Sequence, residues 1–263
     1  MRIVSAKERA KEKRKQLIVI SSGILTCVVG VFLLAGNSYR ANTLRDIQGT
    51  LSSEEIIKNN QQRTIADHPS DKESTEKSMR QMKGADVDVA EASVNRGLMD
   101  YDSVSIPTLS EVRKANRPEN RRRAMQAVTG TVSIPSVAIK LNILEGTNAT
   151  NMLYGATTML PHQVMGKGNY VLAGHNMKER GVLFSNLILN DQPQVHKGNR
   201  IYLSNGRQTY TYRVTSTETI DMHDTNCLNA STKPIITLFT CTKDTYNTGK
   251  TKYRFVVHGE LLK

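Results

Sequence analysis

From Thr129 onward the chain reads as short apolar runs of strand length cut by turn residues, and this restricts the fold more than any other feature. Gly130 to Pro135 opens the set, and Val137 to Leu144 alternates. Tyr170 to His175, Arg200 to Leu203, Gln208 to Thr217, Ile235 to Cys241 and Tyr253 to Gly259 follow, with turns such as Ser204-Asn205-Gly206-Arg207 between them. Met152 to Met165 is mixed, with room for a short helix, and Phe184 to Leu189 reads as a helical turn. About eight short strands argue for a closed β-barrel, because closure removes the exposed edges of a sheet. Ten of the thirteen aromatic residues lie in 129–263, and only Tyr39 and Tyr101 lie in 37–128. A core needs such side chains, so the folded domain is expected to be the last ~135 residues.

Three of these runs bring reactive side chains to their ends. Thr237-Leu238-Phe239-Thr240 leads into Cys241. His175 ends Tyr170-Val171-Leu172-Ala173-Gly174, and Arg254 lies in Tyr253 to Val257. A thiol, an imidazole and a guanidinium on one sheet can supply a nucleophile, a proton-transfer group and a clamp for a developing oxyanion. Each has a plainer reading. Cys is often a small buried hydrophobe, His is often structural, and an Arg on a strand often faces water. Period two puts Arg254 on a face with Val256 and His258, opposite Tyr253, Phe255 and Val257. An Arg sharing a face with an apolar Val is expected to point at something specific.

The run T-L-F-T-C, the G-H pair upstream and the Arg downstream, in the order His, Cys, Arg, resemble the sortases. These are membrane-anchored cysteine transpeptidases of Gram-positive bacteria. The resemblance spans roughly residues 129–263. It implies an eight-stranded β-barrel with short helices. It also implies that Cys241 attacks the threonine carbonyl of an LPXTG-type sorting signal, breaking the Thr–Gly bond and leaving a thioacyl-enzyme that an amine resolves. His175 would then protonate the leaving amine and deprotonate the incoming one. Arg254 would bind the substrate carbonyl or its oxyanion. Thr240 matches the family's Thr before the Cys, a position that can contact the sorting signal, and Ala173 matches a small pocket residue. The implied partners are LPXTG-bearing surface proteins and a cell-wall amine, from lipid II or a peptidoglycan cross-bridge.

The rest of the chain fits a tethered enzyme. Residues 1–16 are basic, and Leu17 to Gly36 carries no charge. Twenty helical residues span ~30 Å of hydrocarbon, and flanking positive charge keeps that end cytoplasmic. A cleaved leader would have a shorter apolar core of ~7–15 residues. The expectation is therefore an uncleaved single-pass anchor at 17–36, with the catalytic domain extracytoplasmic. Residues 37–128 are polar and read as a partly helical linker or stalk, with helical spacing over Asp46 to Arg63 and a helix over Ser110 to Val128 interrupted near Pro118. The net charge of +12 does not argue for nucleic acid. The N-terminal cluster has its explanation in the membrane, Arg121-Arg122-Arg123 reads as a solvated run, and the remaining charges are scattered. Of the three cysteines, Cys27 sits in the apolar stretch and Cys241 is the candidate nucleophile, so a structural disulfide is not expected. Cys227, four residues after His223, is too sparse a pair for a metal site.

Within the family, the absence of tryptophan excludes a DPW-type lid, and the loop before Ile235 is short, so class A, the housekeeping type, fits best. Some members bind calcium through carboxylates ahead of the catalytic His. Here Gly146 to His175 contains no Asp or Glu, and Leu160, Gln163 and Lys167 stand roughly where ligands would be. Calcium takes six to eight oxygens, so calcium-independent activity without any cofactor is expected. Asn142 stands where many members have Pro. The competing readings are a sortase of another class, a hydrolytic cysteine protease, and a membrane-tethered binding barrel in which Cys241 is core.

Overall fold

The structure is a computed structural model, and it describes residues 38–66, 104–177, 180–242 and 252–262 together with short pieces of 22–36. The expected anchor at 17–36 falls largely outside the described residues, as does most of 67–103. Among the described residues no helix is long and apolar enough to cross a membrane.

Eight strands close into a barrel. In chain order they are β1 (Val128–Ile134), β2 (Ile139–Leu144), β3 (Gly155–Thr158), β4 (Asn169–Ala173), β7 (Arg200–Ser204), β8 (Thr209–Asp221), β9 (Ile235–Cys241) and β10 (Tyr253–Leu261). Around the barrel the order is β1-β2-β3-β4-β9-β10-β8-β7, and β7 closes on β1 through Thr131 opposite Ser204. The pairs β2–β3 and β4–β9 are parallel, and the others are antiparallel. Alternation along the strands fills the interior. Leu172, Ile236, Leu238, Phe255, Val257 and Tyr212 meet there, each at most 1% exposed. The expected helical turn at Phe184 to Leu189 is instead a turn running into β5 (Ile188–Leu189). That strand pairs with β6 (Gln192–Pro193) as a separate two-stranded ribbon. Asn190 and Asp191 take positive φ between them, a conformation Asn and Asp tolerate.

Among the described residues, helices ahead of β1 lie outside the barrel. In α1 (Ser53–Ala66), Ser52 and Glu55 exchange capping hydrogen bonds. In α2 (Leu109–Ala115), Thr108 and Glu111 do the same. The break expected near Pro118 separates α2 from α3 (Pro118–Gln126), where Pro118 opens the helix without costing a hydrogen bond. Leu44, Ile47, Ile56, Val112, Ala115 and Ala124 pack with the outer side of the barrel as a second apolar cluster.

The compact unit runs from Thr43 to Lys263, so the segment 43–66, assigned by its composition to the linker, is docked on the barrel. Amides hold it there. Asn59 Nδ2 donates to the carbonyls of Met125 at 2.7 Å and Val128 at 3.2 Å. Asn60 Nδ2 donates to Thr129 O at 3.0 Å and Asn205 O at 3.3 Å. Asn142, fully buried in β2, accepts from Leu51 N at 2.9 Å and donates to Gly49 O at 3.0 Å. Arg63 pairs with Glu145. Gly206, at φ +89°, lies so close to α1 that a Cβ would stand 2.7 Å from Ser53 O.

Candidate active site

Strand topology brings the three candidate residues together. β4 and β9 run parallel with Ala173 opposite Phe239, so His175 and Cys241 each lie two residues beyond this pair, at the same end of the two strands. β10 runs back along the other side of β9 and places Arg254 directly opposite Cys241. Directly opposed residues share a face of the sheet, with Cβ atoms ~5 Å apart. Leu238 and Phe255 point into the barrel, so Cys241 and Arg254 point outward.

Side-chain hydrogen bonds fix this frame. The Gly174 N–H donates to Phe239 O at 3.1 Å, and the Thr240 hydroxyl donates to Gly174 O at 2.7 Å. Thr240 is 2% exposed, so its hydroxyl is spent holding the strand end that carries His175. Gly174 has no alternative here, since a Cβ would meet the Phe184 ring at 2.6 Å. The Phe184 N–H in turn donates to His175 O at 3.0 Å. Asn176 Nδ2 donates to Cys241 O at 2.8 Å.

His175 is 6% exposed, and its Nε2 has no hydrogen-bond partner. Burial holds the imidazole down at about 4, against a smaller opposing pull from the Glu111 carboxylate of α2. At neutral pH the ring is therefore uncharged in this arrangement. Cys241 and Arg254 are partly exposed, and Arg254 Nη1 donates to Tyr253 O at 3.2 Å.

A largely buried apolar track lies on the outer face of β4. Val171 and Ala173 pack there with Met152 and Met159, with the partly buried Leu228 and Phe239 at its rim. Ala173, expected in a pocket, is instead 4% exposed beneath this cover. Val104, from the segment before α2, packs on the same cluster. Leu228 comes from the loop between β8 and β9, which Asn169 clips in place: its Nδ2 donates to Cys227 O and Asn229 O, both at 3.0 Å, and its Oδ1 accepts from Thr237 at 2.9 Å. Gln163 binds both the N–H and the carbonyl of Val171, at 3.0 and 2.9 Å. Cys227 stands apart from the reactive set. Burial, helped by Asp224 and Glu218, pushes its thiol up to about 11, which keeps it protonated.

Sequence reasoning missed Asn176, Asn169 and the engagement of Gln163. Asn176 directly follows Gly174-His175, but nothing in its spacing distinguishes it from a loop amide.

Comparison with known proteins agrees with this geometry. Residues 132–262 match the sortase domain family. Sortase A of Listeria monocytogenes is 39% identical over 67% of this chain and 73% of its own. Sortase A of Bacillus anthracis is 37% identical over 62% of this chain and 71% of its own. The solved Listeria monocytogenes sortase A structure is 44% identical over 52% of this chain and 88% of that one, with a TM-score of 0.48. The family match and the two curated relatives show that the chain belongs to the sortase family, the cysteine transpeptidases that act on sorting signals.

Proposed function

We propose that this chain is a class A sortase that cleaves an LPXTG-type signal between Thr and Gly and joins the new carboxyl end to a cell-wall amine. The observation that carries the reading is the convergence of His175, Cys241 and Arg254 at the ends of three adjacent strands. The partly buried rim of the neighbouring apolar cluster, Leu228 and Phe239, would meet the leucine and proline of such a signal.

The Cys241 thiol gives its proton to His175 as the sulfur attacks the threonine carbonyl carbon, and the oxyanion that develops faces Arg254. The C–N bond breaks as His175 passes that proton to the glycine nitrogen, leaving a thioester. An incoming amine attacks the thioester and gives a proton to His175, and the C–S bond breaks, the leaving thiolate taking the proton back from His175 to restore the thiol. The imidazole's pull toward about 4 makes its charged form a minor population at pH 7 in this arrangement. The reading extends to an amine from lipid II or a peptidoglycan cross-bridge. It also takes residues 17–36 as a single-pass anchor holding the enzyme on the outer side of the cell membrane, and activity as independent of calcium.

The test incubates the chain from Thr43 with an LPETG peptide and a glycine or alanine nucleophile, following products by mass. A peptide–amine adduct that disappears with Cys241→Ala is expected. Free LPET acid alone, with the amine ignored, would favour a hydrolytic protease.

A further inference from the structure

In the parallel β4–β9 ladder, carbonyls of β9 that face β4 recur at every second residue. Phe239 O is one, and Gly174 N fills it at 3.1 Å. The next is Cys241 O. Beyond Ala173 the backbone of β4 leaves the ladder to place His175. The Asn176 carboxamide donates to Cys241 O at 2.8 Å. Nucleophile and imidazole therefore belong to one hydrogen-bonded frame, although only one of the two strands continues.

Asn176 is itself held from the segment ahead of the barrel. Its backbone bridges to Leu183, and Leu183 N donates to Gln48 Oε1 at 3.2 Å. Gln48 is 7% exposed. Three residues earlier, Arg45 Nη2 donates to Arg180 O at 2.9 Å, in the same loop. Leu183 takes φ +50°, a conformation a leucine adopts only when its surroundings impose it.

We infer that Asn176 is a positioning residue for the transpeptidation, fixing the Cys241 peptide relative to His175, and that Gln48 supports it from outside the barrel. The inference rests on the reading of Cys241 and His175 as the reacting pair. Displacing a reacting atom by about 1 Å can cost on the order of 10²-fold in rate. Substrate contacts are untouched, so the loss should fall on kcat.

The experiment uses the full chain in detergent, measuring transpeptidation of an LPETG peptide with a glycine nucleophile. Asn176→Ala is expected to lower kcat at least tenfold with KM within twofold. Asn176→Asp, the same shape but unable to donate when ionised, should be worse. Asn176→Gln, which keeps the donor, should recover part of the rate. A kcat within twofold of wild type for Asn176→Ala, or a loss confined to KM, overturns the inference. Gln48→Met removes the acceptor at similar volume and should lower kcat severalfold. Combined with Asn176→Ala it should add less than twofold, because both act through one frame. Fully multiplicative losses would overturn the support from Gln48. If Cys241→Ala stays active, the catalytic reading fails. If Cys241→Ala is inactive and the Asn176 variants are unaffected, only this inference fails.

Discussion

The site edge of the barrel and the docked segment 43–66 are held to the same β framework by different means. At the site, β4, β9 and β10 are apolar runs whose period-two alternation both packs the interior and aims Cys241 and Arg254 outward. The docked segment has a few apolar anchors, Leu44, Ile47 and Ile56, and is otherwise tied by amides: Asn59 and Asn60 donate to carbonyls of Met125 and Thr129, and Asn142 of β2 donates to Gly49 O. Apolar periodicity builds a surface. Side-chain amides then join pieces that periodicity cannot. If the two regions divide labour in this way, substitutions at the edge should abolish chemistry and spare folding, and substitutions at the docked segment should do the reverse, except at Gln48, which reaches the loop that holds Asn176.

The largest expected effects are at the edge. Cys241→Ala should remove transpeptidation by several orders of magnitude, since no other nucleophile replaces a covalent intermediate. Arg254→Ala, which would remove the proposed oxyanion donor, should cost about 10²–10³-fold in kcat. Both should melt within a few degrees of the parent, because both side chains are only partly buried on the outer face. A melting temperature that collapses with Arg254→Ala would assign that side chain to structure and blur the comparison.

At the docked segment the order reverses. Asn142→Ala strands the Leu51 N–H and the Gly49 carbonyl beside a fully buried position. Gly49 is exposed and Leu51 half-buried, so water can replace part of what is lost, and the stability should fall by about 1 kcal/mol, a few degrees in a unit of this size, with kcat near the parent value. Calorimetry beside the peptide assay separates the two outcomes.

These two regions differed just as sharply in legibility. The T-L-F-T-C run, the G-H pair and the Arg could be read because strand chemistry repeats on a fixed period and the resemblance names its residues. Segment 43–66 read as linker because its asparagines look the same whether they face water or a backbone carbonyl. Asn142 shows the difficulty: it stands where many members of the family have proline, and it is the amide that fastens Gly49 and Leu51. Thr240 was expected near the ligand, and its hydroxyl is engaged with Gly174 O. The burial of His175 was not legible either, because it depends on what packs over the strand end, not on the strand.

That burial yields a smaller effect that tests the edge from the stability side. In the unfolded chain the imidazole titrates near 6.5, and in the fold near 4. Between those values the unfolded state binds the extra proton, so stability is full above about 6.5 and falls as pH drops toward 4. By linkage the unit should be about 2 kcal/mol less stable at pH 5 than at pH 7 from this residue. His175→Gln should flatten that part of the profile, as read by urea titrations at the two pH values. An unchanged slope would mean that His175 is more hydrated than its place in the structure indicates.

The smallest expected effect is none at all, from calcium. The amide device of the docked segment recurs beside the site. Asn169 holds the loop that carries Leu228, and Gln163 closes on both backbone groups of Val171. A divalent cation bridging these loops would need several oxygen ligands that are not already committed. Gln163 Oε1 is accepting from Val171 N, and Asn169 Oδ1 from Thr237. The loops that wall the apolar track therefore have their order supplied by hydrogen bonds within the protein. Millimolar calcium, compared with chelator in the peptide assay, should leave turnover within experimental scatter. A severalfold rise would mean that a cation completes the track after all. In contrast, Asn169→Ala should raise KM for the peptide more than it lowers kcat, because it frees the wall that carries Leu228 while leaving the frame of Cys241 and His175 in place.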